Sequence, residues 1–340
     1  MNQSKSIDEE DKSDNYSYQD ESSIEKINIK DFEIGEKIYK LNYGYIALCK
    51  RIKSKKLYSI KILKKKKLIS EKLVEKQNNE YKNLSSIYHP FIVELIGINY
   101  TDPINLYYVY QLFAGQSIKY LIKINNKLSL NAAKFYAACV ITALDYLHKK
   151  RIIVRDIRVD NIYLNSDGYI KLTEFTYSKK LKSDYTYTSC GFPEYCPPEM
   201  INKSGHNKSA DFWQLGILLY EMLTGYPPFI EENTNKLYAK INKGKIHFPK
   251  GFNNNAKMII KQFLKVDPKK RLGCTEKGIY EIIKQPFFSD FDWEGLLHRK
   301  LEAPILPKMP KFISCRNKTM EEDEINEAIP MENDPFYNWN

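Results

Sequence analysis

The chain has 340 residues, with 53 Lys and Arg against 42 Asp and Glu and a formal charge of +11, long enough for one large domain or two lobes around a sizeable core. The ends are acidic and the middle basic, but the excess is scattered lysine apart from Lys64–Lys67, which is the pattern of a solvated face and argues against a nucleic-acid partner. Cys49, Cys139, Cys190, Cys196, Cys274 and Cys315 form no C-x-x-C pair, which argues against a disulfide scaffold or a zinc site and fits a reducing compartment.

The N-terminus, MNQSKSIDEE, lacks an apolar signal segment, and Asn2 stands where myristoylation requires glycine. Residues 1–31 are polar and acidic, the composition of a disordered leader. From Phe32, apolar alternation predicts strands over about 32–40, 43–52 and 56–63, a helical stretch Glu71–Ile87, and strands at about 94–101 and 105–112. Lys61, centred in the apolar third strand, needs a partner because an unpaired buried ammonium is costly, and Glu80 is the candidate. Leu130–Lys150 reads as a long amphipathic helix. The helix opening at Ser209 is apolar nearly all round through Leu223, which assigns it to the middle of a core. Its run Phe212–Leu223 is broken by Gln214 and Glu221 and is too short to span a bilayer. The expectation is a cytoplasmic or nuclear chain with no membrane anchor.

Between the two helices lies Ile152–Thr176. Its apolar runs Ile152–Val154, Ile162–Leu164 and Ile170–Leu172 enclose Arg155, Asp156, Arg158, Asp160 and Asn161, and Asp167-Gly168 supplies a hairpin reversal. A loop-borne Asp, a cation two residues on, an Asn five on and Glu174 beyond the hairpin make a phosphoryl-transfer toolkit. The Asp can take a hydroxyl proton, the cation can follow a migrating phosphate, and Asn with Glu can hold Mg²⁺.

Arg155-Asp156-Ile157-Arg158-Val159-Asp160-Asn161 resembles the catalytic loop of the protein kinases, R-D-L-K-x-x-N, and Glu174-Phe175-Thr176 occupies the place of their D-F-G. Asp292-Trp293, Arg299–Pro307 and the final Phe336-Tyr337-Asn338-Trp339 are similar to the C-terminal tail of the AGC group, nearest the cAMP-dependent protein kinases. Ala328 and its neighbours lack the hydroxyl of the turn phosphosite, and Arg316-Asn317-Lys318-Thr319 lacks the tail phenylalanine.

The resemblance implies an α+β, bilobal fold. It comprises a five-stranded antiparallel small lobe over 32–110, a hinge at 111–113, a mainly helical large lobe over 114–288 and a tail over 289–340. It implies ATP and Mg²⁺ as cofactors. The catalytic residues are then Asp156, Arg158 and Asn161, with Asn161 and Glu174 on the metal. Ile38, Gly44, Ile46, Lys61 with Glu80, Gln111, Phe113 and Glu174 would bind the nucleotide. Tyr110 would limit the depth of the adenine pocket. Tyr39 and Leu41 replace the first two glycines of the phosphate-gripping loop, where a Cβ obstructs close approach.

Thr188 aligns with an activating phosphothreonine, cradled by Arg155, Lys179 and Lys76. Asp160 and Glu221 align with carboxylates that receive an arginine two residues before the acceptor, while Ser117 replaces a further acid. Asp211 would fasten the catalytic-loop backbone and Glu199 would pair with Arg271. The implied function is a serine/threonine kinase acting on protein substrates with basic residues around the acceptor. Its activity would be reduced by Glu174, Thr176, Phe192 and the missing glycines. The alternative is a pseudokinase serving as allosteric or scaffolding partner of another kinase or of a cAMP-binding regulatory subunit. Tyr185 and Tyr187 differ from the Arg and Trp that hold that subunit in relatives.

Overall fold

Strands β2 (Phe32–Leu41), β3 (Gly44–Arg51) and β4 (Leu57–Lys64) fold as an antiparallel meander. The computed structural model to which they belong describes residues 24–113, 115–315, 328–337 and 339. With β5 (Leu95–Asn99) and β6 (Asn105–Gln111) they supply the five expected antiparallel strands. A sixth, β1 (Glu25–Lys26), pairs in parallel with β5, giving the order β1-β5-β6-β4-β3-β2.

The leader expected to be disordered through residue 31 therefore joins the sheet from Glu25. Gly97 makes room for it: a Cβ there would lie 2.4 Å from Ile27 Cγ2. Ile27 is buried and its carbonyl accepts from Asn99 Nδ2 at 2.9 Å. Helices α1 (Lys65–Ser70) and α2 (Val74–Leu84) lie between β4 and β5 in the chain. Strand β2 shifts register between Ile34 and Lys37 and again between Lys37 and Tyr39. Irregularities of this kind bend a strand and re-aim its side chains.

The large lobe begins with α3 (Ile118–Asn125) and α4 (Leu130–Lys149), capped by the Ser117 and Ser129 hydroxyls. Short strands β7 (Ile152–Ile153), β8 (Ile162–Leu164), β9 (Ile170–Leu172) and β10 (Lys179–Lys180) follow, β8 pairing with β9 and β7 with β10. Then come α5 (Pro198–Ile201), α6 (Ser209–Thr224), α7 (Thr234–Lys243), α8 (Asn254–Phe263), α9 (Ile279–Ile283) and α10 (Trp293–Leu297). Helix α6 is buried from Ser209 through Met222 and packs on α4 and α8, as its all-round apolar sequence predicts. No helix among the described residues is long and apolar enough to cross a membrane.

Asp211, on the first turn of α6, accepts from the Val154 and Arg155 amides at 3.0 and 2.7 Å and contacts His148 Nε2 at 2.7 Å. It thereby fixes the chain entering the 155–161 loop to the buried helix α6. Arg271 donates to both oxygens of Glu199 at 2.6 and 2.9 Å. The tail returns to the small lobe, where Phe336 and Trp339 are buried and Asp334 pairs with buried Lys65. Ala328 is exposed. Arg316–Thr319 and Asn338 lie outside the described residues.

Candidate active site

The two lobes meet around a cavity of about 420 Å³ lined by Lys61, Asp156, Arg158, Asn161, Glu174 and Tyr39, among others. On its upper side Lys61 donates to Glu80 Oε1 at 2.9 Å and to Glu174 Oε2 at 3.0 Å. Burial alone would lower the pKa of the Lys61 ammonium, but the carboxylates of Glu174 and Glu80 hold it above its ordinary value. Burial pushes the Glu80 carboxyl upward, with Lys61 opposing. Thr176 Oγ1 donates to Glu80 Oε2 at 2.8 Å, lies 3.3 Å from Glu174 Oε2 and accepts from Gln77 Nε2 at 3.4 Å. The residue that removes a family glycine thus adds a tie between α2 and the segment after β9.

On the lower side Asn161 Nδ2 donates to Asp156 Oδ2 at 2.7 Å, and Arg158 Nε donates to Asp156 Oδ1 at 3.1 Å. Burial raises Asp156 to about 6, against the opposing pull of Arg158 and Asn161. The Arg158 guanidinium lies 3.7 Å from the centre of the Phe192 ring, a cation–π contact. The two departures from the kinase pattern therefore touch each other.

Glu174 Oε1 is buried and has no hydrogen-bond partner among the described residues, and an unpaired buried anionic oxygen calls for a cation. No cluster of three His, Cys, Asp or Glu side chains suited to a metal occurs among the described residues. A cation here would thus draw on Glu174, the Asn161 amide oxygen and a ligand's own phosphates, the way Mg²⁺ is commonly bound. The residues fit that ion.

Tyr39 and Tyr163 line one part of the cavity. Tyr39, re-aimed by the irregular β2, packs on Tyr163 with ring centroids 4.7 Å apart, and its hydroxyl donates to the Gly115 carbonyl at 2.5 Å. Tyr163 meets Phe113 at 6.0 Å and Phe113 meets Tyr110 at 5.7 Å, so the rings run continuously to the hinge. Burial pushes the Tyr39 hydroxyl up to about 12. The Phe113 amide, one of the hinge groups expected to meet adenine, donates to Ser59 Oγ at 3.1 Å. Gln111, Leu112 and Phe113 do not line the cavity.

A protein kinase domain model matches residues 32–288. The chain belongs to the protein kinase family. It is 39% identical over 297 residues to a cAMP-dependent protein kinase catalytic subunit of Dictyostelium discoideum, covering 86% of this chain and 46% of that protein. It is 35% identical over 305 residues to the human cAMP-dependent protein kinase catalytic subunit PRKX, covering 89% and 85%. Identity to the Saccharomyces cerevisiae cAMP-dependent protein kinase type 3 is 35% over 321 residues, covering 94% and 79%. The chain spans about half the length of the Dictyostelium and Drosophila relatives.

Within this kinase fold, not every expected group converges. Arg155 donates to the Thr188 carbonyl at 3.3 Å, to the Tyr177 carbonyl at 2.8 Å, and meets His206 Nε2 at 3.3 Å. Lys179 donates to Thr186 Oγ1 at 2.8 Å, and Lys76 lies 5.0 Å over the Tyr177 ring. Thr188 is exposed, and the three cations expected to cradle it once phosphorylated, Arg155, Lys179 and Lys76, each have a partner elsewhere.

The carboxylates expected to receive a substrate arginine also have partners. Asp160 accepts from Arg158 Nη1 at 2.9 Å, while Glu221 accepts from the Tyr195 hydroxyl and sits 3.7 Å from Lys119 Nζ. Sequence reasoning passed over Ser59, Lys119, Tyr163 and His206. Each acts through a partner distant in the chain, and only Lys119, a cation in the first turn of α3, breaks a local rule.

Proposed function

We propose that the chain is a serine/threonine protein kinase that transfers the γ-phosphate of ATP to a hydroxyl on protein substrates. The observation that carries this reading is the Lys61–Glu80 pair facing, across one cavity, the Asp156–Asn161 pair. Lys61 is placed to hold phosphate oxygens, and Asp156 to accept the acceptor hydroxyl's proton as its oxygen bonds to phosphorus and ADP leaves. Arg158, oriented by Asp156 and Phe192, accompanies the transferred phosphoryl group. Asn161 and Glu174 would hold Mg²⁺, which supplies positive charge against the phosphate oxygens.

Activity is low in this reading. Glu174 has its second oxygen on Lys61, and with one methylene more than the family aspartate it would hold a metal less well placed. Misplacement of about 1 Å costs on the order of a hundredfold. Tyr39 must also leave before a base can reach the hinge. A cAMP-binding regulatory subunit is a proposed partner, by likeness to the relatives' names, and the cytoplasm or nucleus a proposed location. The test is radiolabelled transfer from Mg-ATP to serine peptides. Incorporation well above the Asp156→Ala control supports the reading, and incorporation equal to that control ends it.

The Tyr39 and Ser59 contacts favour a second reading, a pseudokinase acting as an allosteric partner of another kinase. A cellular phenotype that survives Asp156→Ala supports this second reading, and one abolished by that substitution contradicts it.

A further inference from the structure

Resting on the kinase reading above, we propose that His206 is a positioning residue. By accepting a hydrogen bond from Arg155, it joins the 155–161 loop to the 186–188 stretch and so sets Asp156 for transfer. His206 is buried between α5 and α6 and does not line the cavity.

Arg155 immediately precedes Asp156 and stands at φ +65°, a left-handed backbone that a non-glycine residue adopts at a cost. Neighbours hold it there from both sides. Its amide donates to Asp211 Oδ1 at 2.7 Å, and its carbonyl accepts from Gln214 Nε2 at 2.9 Å. The side chain is held separately: Nε donates to the Tyr177 carbonyl at 2.8 Å, and Nη1 to the Thr188 carbonyl and His206 Nε2, both at 3.3 Å. Two of these acceptors are backbone carbonyls, and His206 supplies the side-chain one.

A guanidinium can only donate, so His206 Nε2 accepts and the ring carries its proton on Nδ1. Burial and Arg155 push the ring down to about 4, with Lys179 adding to the fall and Glu199 and Asp211 opposing it. The imidazole is therefore neutral at pH 7. The same residue is tied through its backbone, since His206 and Thr186 exchange two N–H···O bonds, each 2.9 Å, in an isolated antiparallel bridge. Thr186 is itself buried and accepts from Lys179 Nζ at 2.8 Å. Ring and backbone of His206 thus fasten the 186–188 stretch to the residue before the catalytic Asp. A ring that merely filled space could be replaced by leucine without consequence.

The experiment compares the full chain with His206→Leu, which fills the space without an acceptor, and His206→Gln, whose amide oxygen can replace Nε2. Initial rates with Mg-ATP and a serine peptide give kcat and KM, and hydrogen exchange read by mass spectrometry gives the protection of 186–188 and 204–206. His206→Leu is expected to lower kcat about tenfold, the scale of one hydrogen bond to a charged group, and to speed exchange by a similar factor. KM for Mg-ATP stays unchanged, because His206 lies outside the cavity. His206→Gln restores kcat and protection. Arg155→Lys shows the same two losses, since one ammonium cannot serve three acceptors, and adding His206→Leu to it costs nothing further.

Parental kcat and exchange in His206→Leu overturn the proposal. So does a loss carried by KM alone, a His206→Gln chain as impaired as His206→Leu, or additive losses with Arg155→Lys. Should His206→Leu not fold, parental kcat and protection in Arg155→Lys overturn it. The exchange comparison needs no turnover: a parent that transfers no phosphate ends the kinase reading, and the joint at His206 is then decided by protection alone.

Discussion

The Tyr39 hydroxyl donates to the Gly115 carbonyl at 2.5 Å, tying the end of β2 to the chain just beyond the hinge. A glycine at position 39 would make neither this bond nor the ring contact with Tyr163. Lys61, Asp156 and Asn161 line the cavity together with Tyr39, while the Phe113 amide expected to meet the base is bonded to Ser59 Oγ. In the proposed reading, chemistry at Asp156 and access for the nucleotide, which normally travel together in a kinase, are separable.

Thr176 is the simplest tie to test. Replacing it with Val keeps the shape and deletes the hydroxyl, leaving buried Glu80 Oε2 short of a donor. The expected loss is about 1–3 kcal/mol in unfolding free energy, while Thr176→Ser costs little. Urea melts of the three proteins check this.

Arg158 and Phe192 are expected to be energetically coupled. Phe192→Ala and Arg158→Lys each weaken the stack, and the double substitution should cost less than their sum by about 0.5–2 kcal/mol. A double-mutant cycle on transfer rate and stability measures the coupling. Additive effects would mean that the 3.7 Å contact does not orient the guanidinium.

Asp156 gives the pH dependence. Its folded pKa, about 6, lies above the ordinary aspartate value. The native state therefore binds the extra proton between those values, and stability falls as pH rises through that window. Asp156→Asn should be more stable than the parent at pH 7 by about 3 kcal/mol, with the gap closing below about pH 4. A general base must be ionised, so kcat/KM should rise about tenfold per pH unit up to about 6 and then level. Paired pH series of thermal melts and initial rates check both limbs.

The parts of this fold legible in the sequence are those set by local pattern. The alternation of β3 and β4, the all-round apolar α6, and the Asp156–Asn161 spacing each follow from near neighbours. The Lys61–Glu80 pair is legible because a buried ammonium demands a partner. Strand β1 is hidden by its polar surroundings, since its docking depends on the absent side chain of Gly97. Tyr39 reads as a missing glycine, but where its ring goes is decided by the register shifts of β2 and by Tyr163 in the other lobe. Thr176 reads as a loss for the same reason: its hydroxyl finds Glu80 only after α2 packs. Asp160 and Glu221 carry the right charge at the right spacing, and only tertiary structure brings Arg158 and Lys119 against them.

The affinity of Mg-ATP for the parent chain and for Tyr39→Gly, by titration calorimetry with and without Mg²⁺, tests the central claim most directly. When a binding-competent state is rarely populated, its fraction divides the apparent affinity, so removing the Tyr39 ring should tighten binding about tenfold. The gain should depend on Mg²⁺ and vanish when Glu174→Ala is added. Equal affinities in the parent and Tyr39→Gly would contradict the claim that Tyr39 holds the place of the base.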